Sequence, residues 1–300
     1  MRLSIGSALV AIALVTSGAA TAQSKAKSTP APLAMVESVQ LSASVERGRG
    51  TLPLAPGMEL KSGDRVNTGA NSRLVVKLAD GSTIKLGERG SLFFDRMGMR
   101  DGKVFEAAIF AAEGAFRLAA DALGKSLAER ELSVAVNTVN VGVRGADLWG
   151  KSASDKQIVC LIHGNIEVAP PGGTPFTMDQ PLSFYALEGT VSRPVETVLP
   201  DRLSEWAAET EEEPGHGVAS RTGKWKITVA STKKSVEAFD VYNALRRAGY
   251  PAEIVPAKVG DARVYSVRLS NFESDKDAKF VVEALKGQAE LAKHDYKVGM

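Results

Sequence analysis

Over residues 264–287 the apolar positions change their period. Tyr265, Val267 and Leu269 alternate with Ser266, Arg268 and Ser270, the spacing of two that sorts a strand into two faces. After Phe272, Ala278, Val281, Val282 and Leu285 recur at helical spacing. Ser274 stands at the expected N-cap with Asp277 three residues on, a capping box, and Gly287 ends the pattern. A similar unit lies upstream. Trp225, Ile227 and Val229 alternate with Lys226, Thr228 and Ala230, and a helix is predicted over 235–248, closed by Gly249 and Pro251. Shorter strands are predicted at 251–255 and 296–298. The order strand, helix, strand, strand, helix, strand, with both helices on one face, predicts an α+β ferredoxin-like unit.

Upstream of residue 210 the pattern is one of short alternating runs. Leu74, Val76 and Leu78 share a face and should pair with Ile84 and Leu86, because Asp80-Gly81 between them allows the positive φ of a tight hairpin turn. Further strands are predicted at 134–136, 139–143, 158–162 and 166–168. Short strands at this spacing predict an all-β sandwich or roll. Leu203, Trp206 and Ala207 predict a short closing helix that lays Trp206 on the β core. The three glutamates, Pro214, Gly215 and Gly217 that follow read as a solvated linker. The expected organisation is multidomain: a leader at 1–22, a flexible tether at 23–35, a β domain with its closing helix at 36–210, a linker at 211–223 and the α+β unit at 224–300.

Composition narrows the function. Met1-Arg-Leu-Ser carries one positive charge, residues 5–15 are apolar apart from Gly6 and Ser7, and Ala20-Thr-Ala22 is a small-residue cleavage pattern. A secretory leader cleaved after Ala22 and a periplasmic destination are expected. The apolar run is too short to span a bilayer, so no membrane span is expected in the mature chain. Cys160, the one cysteine of 300 residues, can form no intramolecular disulfide, and its place in the apolar run 157–162 predicts a buried structural thiol. His163, His216 and His294 are scattered without a partnering pattern. No metal site, cofactor or catalytic residue is therefore expected, and the chain reads as non-enzymatic. Residues 224–300 hold fourteen Lys and Arg against ten Asp and Glu, a net charge of +4. RNA-reading sheets of the same topology need aromatics on the open face, and their absence argues against a nucleic-acid partner.

Residues 224–300 resemble the SPOR domain, a peptidoglycan-binding module of bacterial envelopes. Tyr265, Val267, Leu269, Phe272 and Ala278 fall where that family's strand, turn and helix place them. Thr228, Ala230 and Thr232 depart from its first strand, where a Gln, a Gly and a Phe are usual. The resemblance implies binding of glycan strands stripped of their stem peptides, the material enriched at division septa. Lys226, Thr228, Ser266, Arg268 and Ser270 are the candidate contacts, able to hydrogen-bond sugar hydroxyls and acetamides. Trp225, Tyr265 and Phe272 are read as structural.

Residues 36–210 resemble the FecR domain, a β-rich periplasmic domain known from anti-sigma regulators of iron uptake. Five elements in order carry this: Gly63-Asp64 with Thr68-Gly69, Leu78-Ala-Asp-Gly-Ser82, Gly114-Ala-Phe-Arg117, Gly142-Val-Arg-Gly-Ala-Asp147 and Leu161-Ile-His-Gly-Asn-Ile-Glu-Val168. Ala146 departs from the family's usual Thr. The resemblance makes the Ala-rich stretch 107–123 a strand against its helical propensity. Gly81, Arg144, Gly145 and Trp206 are read as structural, with Arg144 and Asp147 flanking a tight turn as ion-pairing groups. Two functions are implied. In one, an exported envelope protein binds peptidoglycan and its FecR-like half recruits an envelope protein. In the other, a periplasmic sensory component related to FecR-type transducers uses the SPOR-like unit as a wall anchor.

Overall fold

Residues 31–120 and 130–300 are described in the structure, a computed structural model; the expected leader, residues 23–30 of the tether and residues 121–123 of the Ala-rich strand lie outside them. The strands of the N-terminal half are, in chain order, β1 (Ala34–Gln40), β2 (Ala43–Arg47), β3 (Gly50–Pro53), β4 (Glu59–Leu60), β5 (Arg65–Thr68), β6 (Arg73–Leu78), β7 (Thr83–Leu86), β8 (Ser91–Arg100) and β9 (Val104–Ala119). They continue with β10 (Arg130–Val136), β11 (Val139–Val143), β12 (Asp147–Ser152), β13 (Lys156–His163), β14 (Ile166–Ala169), β15 (Phe176–Met178), β16 (Ser183–Glu188), β17 (Val191–Ser192) and β18 (Glu196–Thr197), followed by helix α1 (Pro200–Ala208). Then come β19 (Val218–Ser220), β20 (Trp225–Thr232), α2 (Ser235–Arg247), β21 (Glu253–Val259), β22 (Ala262–Phe272), α3 (Asp275–Lys286) and β23 (Lys297–Gly299).

The long strand β9 organises the first half because it belongs to two sheets. Through Glu113 it pairs with β8 and β10, and from Gly114 onward with β7 and β12. Gly114 makes the corner at φ +86°. Alternate residues Phe105, Ala107, Ile109 and Ala111 are buried, so packing on a pleated face overrides the helical propensity of the alanines. One sheet runs β3-β2-β5-β8-β9-β10-β11-β14-β15 and the other β1-β6-β7-β9-β12-β13-β16. Val36, Leu74, Ile84, Leu118 and Leu148 from one face meet Val66, Phe94, Phe105, Val134 and Ile166 from the other. Each large side chain so buried contributes roughly 1.5–3 kcal/mol.

The Asp80-Gly81 turn closes the hairpin of β6 and β7 with Leu74 opposite Leu86 and Val76 opposite Ile84. Gly81 has φ +92°. On the outer face of the second sheet, α1 lays Trp206 flat on Trp149, their ring centroids 4.6 Å apart and planes 3° apart, with Phe184 edge-on at 5.5 Å. Cys160 lies in this satellite core, and burial pushes its thiol up to about 12.

Residues 211–223 are not the solvated linker that their Glu, Pro and Gly content suggests. They contain β19, which pairs with β1 through Ser38, Val39 and Gln40 on one side and with Phe272 of β22 on the other. β1 itself begins at Ala34, so the strand also takes in the last two residues assigned to the tether. Asp277, 1% exposed, accepts backbone N–H bonds at one oxygen from Gly215 (2.8 Å), Gly217 (3.1 Å) and Val218 (2.9 Å), and its other oxygen accepts from the Ser274 hydroxyl. Ser274 caps α3 by accepting from the Asp277 N–H. The capping box is thus half local: its carboxylate serves the crossing chain. Gly217 also packs between Leu41 and Val281, and Glu273 donates its N–H to the Val218 carbonyl at 3.0 Å.

Glu212 sits at this crossing with one carboxylate oxygen buried and unpartnered among the described residues. Burial holds its carboxyl above the ordinary glutamate range; Ser38 opposes the shift and nearby Glu273 adds to it. A carboxyl whose pKa is raised on folding binds its proton more tightly in the native state. Its contribution favours the fold below the unfolded-state value, about 4.3, and is lost as pH rises through the folded one. Glu212→Gln should therefore gain stability over the parent as pH is raised. Urea midpoints measured at pH 4 and pH 8 check this, and a difference that does not vary with pH would contradict it.

Candidate functional site

The C-terminal sheet has the strand order β21-β22-β20-β23, with every pair antiparallel. Ile227, Val229, Val267 and Leu269 face α2 and α3 in a core with Ala238, Leu245, Ala278, Val281 and Leu285. Trp225 and Tyr265 pack at its edge, and Phe272 is buried opposite Trp225. The alternation that drives these residues inward leaves the other face polar.

Register places Glu253, Arg268, Thr228 and Lys297 in one row across all four strands. The next row holds Val255, Ser266 and Ser231, the two serine hydroxyls 3.1 Å apart. On the other side of the row, Lys226 opposes a bulge at Ser270 and Asn271, where Asn271 has φ +72°. Ser270 donates to the Glu253 carboxylate at 2.5 Å. The five sequence candidates therefore share one face but differ in access. Ser266 is 8% exposed and its hydroxyl is engaged with Ser231, so it supports the face rather than presenting a free group. Arg268 is half-buried, and its Nε is buried without a hydrogen-bond partner among the described residues. Its guanidinium makes no ion pair among the described residues, so it stands beside Lys226 and Lys297 as a cationic donor of this face.

Simple alternation puts Ala230 beside Lys226 and Thr228. The structure corrects this: Thr228 pairs with Arg268 but Ala230 with Val267, so one extra residue sits on β20 at this point. A bulge resets the phase of everything beyond it. Val229 and Ala230 both turn to the core, and Ser231 takes the outer place. Ser231, Glu253 and Lys297 thus join the face unannounced by the sequence. A polar residue at the inward phase of β20, Ser231, is the one signal that pointed to a shift.

The ion pairs of the first half also differ from the expected set. Asp147 pairs with Arg117, whose Nε and Nη2 reach its two oxygens at 2.9 and 2.6 Å, and Arg117 also reaches Glu211 at 3.2 Å. Arg144 is exposed and has no ion pair among the described residues. It follows Val141 and Val143, which point inward, so alternation turns it to solvent. Gly145 has φ +67° in the turn that follows. Lys85 joins Glu211, and Lys151 joins Glu209 at 2.7 Å, so acids just after α1 tie that helix to β7, β9 and β12. Among the described residues no group of three or more His, Cys, Asp or Glu is placed to hold a metal ion, and no helix is long and apolar enough to cross a membrane.

A family model described as FecR protein matches residues 64–167. Two crystal structures of a candidate anti-sigma factor from Parabacteroides distasonis superpose with a TM-score of 0.39 and 15% identity, covering 75% of this chain and 91% of that one. No curated protein matches the chain.

Proposed function

We propose that this chain is a periplasmic sensory or regulatory component of FecR type, acting without catalysis or cofactor, whose C-terminal unit holds it to the cell wall. The observation that carries this reading is the FecR match over residues 64–167, which runs from the start of β5 into β14 and so takes in strands of both sheets. In this reading the C-terminal unit is a ferredoxin-like, SPOR-like domain. Its row of Glu253, Arg268, Thr228 and Lys297 offers donors and acceptors spaced along a sheet, suited to a chain of sugar hydroxyls and acetamides. Because β19 and Asp277 couple the halves, a wall contact on one half bears directly on the placement of the other.

The same polar row favours a second reading, in which binding of denuded glycan at the septum is the main task and the FecR-like half recruits an envelope protein. One experiment separates the two. Cells lacking the gene are compared with cells carrying Arg268→Glu, by transcript profile and by retention of the full chain on amidase-treated sacculi. Arg268→Glu is expected to lower retention about tenfold, the effect of losing one charge-assisted hydrogen bond to the glycan. A defined set of transcripts should change when the gene is lost. Unchanged transcripts would remove the sensory reading, and unchanged retention would remove the wall contact.

A further inference from the structure

We infer that the groove between the two halves binds a small oxyanion carried on a polyol, the chemistry shared by sugar phosphates and uronic acids. The groove holds about 490 Å³ and is lined by Ser44 from β2, Thr51 and Pro53 from β3, Asn243, Arg246 and Arg247 from the end of α2, and Gly249 just beyond it. Its volume falls within the range of small-molecule sites.

Arg246 carries the argument. It is half-buried, its guanidinium stacks on Tyr242 with 5.4 Å to the ring centroid, and no carboxylate pairs with it among the described residues. A guanidinium has five donors in a fixed fork that matches an oxyanion, and here they are unspent. Arg247 pairs with Glu290 at 3.1 Å, both side chains well exposed, so that contact is weak and exchangeable. Asn243 stands three and four residues earlier, on the same side of the helix. A basic residue at a helix C-terminus is accounted for by the dipole. The dipole does not account for two hydroxyls and an amide converging on the same space. Glu46 on β2 is engaged by Asn67 at 2.9 Å and Arg65 at 3.9 Å, on the side of the neighbouring strand β5. The neutral donors and acceptors are the reason for assigning a polyol rather than a bare ion: they meet hydroxyls while the arginines meet the charge.

The two walls come from different halves, so a ligand there stabilises their docking by mass action. Its role as a signal rests on the sensory reading above; its binding does not. The full chain is titrated at low salt with inorganic phosphate, glucose 6-phosphate and glucuronate, by calorimetry and thermal shift. Glucose 6-phosphate or glucuronate is expected to bind and raise the melting temperature, more tightly than inorganic phosphate, and the preferred one identifies the anionic group. Arg246→Gln should weaken binding about tenfold, with only the small drop in unliganded melting temperature that loss of its stacking on Tyr242 and of its charge at the helix end predicts, and Arg246→Lys should fall between. Thr51→Val should weaken glucose 6-phosphate more than phosphate. Arg89→Gln, an exposed charge on the β7–β8 loop, should change nothing. No binding of any of the three, or binding that survives Arg246→Gln, overturns the assignment. The Arg268→Glu retention assay reads a different face, so failure of either proposal leaves the other standing.

Discussion

Replacing Asp277 with alanine is expected to cost about 3–5 kcal/mol, a large share of the stability of a domain. The estimate follows from what the side chain holds. Three backbone N–H groups, from Gly215, Gly217 and Val218, converge on one oxygen of a carboxylate that is 1% exposed. Removing it leaves those donors without a partner inside the protein, and each unsatisfied buried donor costs about 1–3 kcal/mol. Asp277→Asn keeps an acceptor oxygen in place and is expected to cost less than half as much. Urea unfolding of both variants checks the difference. Limited proteolysis supplies the local readout, with cleavage near 213–218 appearing in the alanine variant well below its unfolding midpoint. Equal losses for the two variants, or a loss under about 1 kcal/mol for alanine, would show that the carboxylate does not clamp the crossing chain.

The second large effect is expected at the corner of β9. Gly114 has φ +86°, a region that costs a residue with a Cβ about 1–2 kcal/mol. A Cβ there would also lie 2.6 Å from the Cα of Gly90, a backbone atom that cannot rotate away. Gly114→Ala should therefore cost about 3 kcal/mol or more. Gly81 is the internal control. Its φ of +92° imposes the same conformational penalty, but nothing among the described residues lies within 4 Å of a Cβ at that position. Gly81→Ala should cost only the backbone term, about 1–2 kcal/mol. Thermal unfolding of the pair isolates the steric part, and equal costs would remove close approach as the reason for glycine at the corner.

Local signals were legible in the sequence where they are also local in the structure. The Asp80-Gly81 hairpin, the N-cap of α3 at Ser274 and the placement of Trp206 all depend on residues within a few positions or on one apolar stripe. The features that escaped depend on partners far along the chain. Asp277 reads as the end of a capping box, yet its bonds reach back 59 to 62 residues. Val218–Ser220 is too short to display a period, and becomes a strand because β1 and β22 supply edges for it. The bulge at Val229 is invisible to a rule that assumes unbroken alternation, which is why Ala230 was given the place that Ser231 holds. Arg144 and Arg117 are equally plausible partners for Asp147 by type. Only the register of β9 against β12, which brings residues 117 and 147–149 together, decides between them.

β19 has a consequence for anyone who would divide this protein. A fragment ending at residue 210 would lose the strand that covers Ser38–Gln40, leaving that stretch of β1 with bare N–H and C=O groups. A fragment beginning at residue 224 would uncover the edge of β22 at Phe272 in the same way. Exposed strand edges recruit further strands, so each half alone carries a template for self-association that the intact chain conceals.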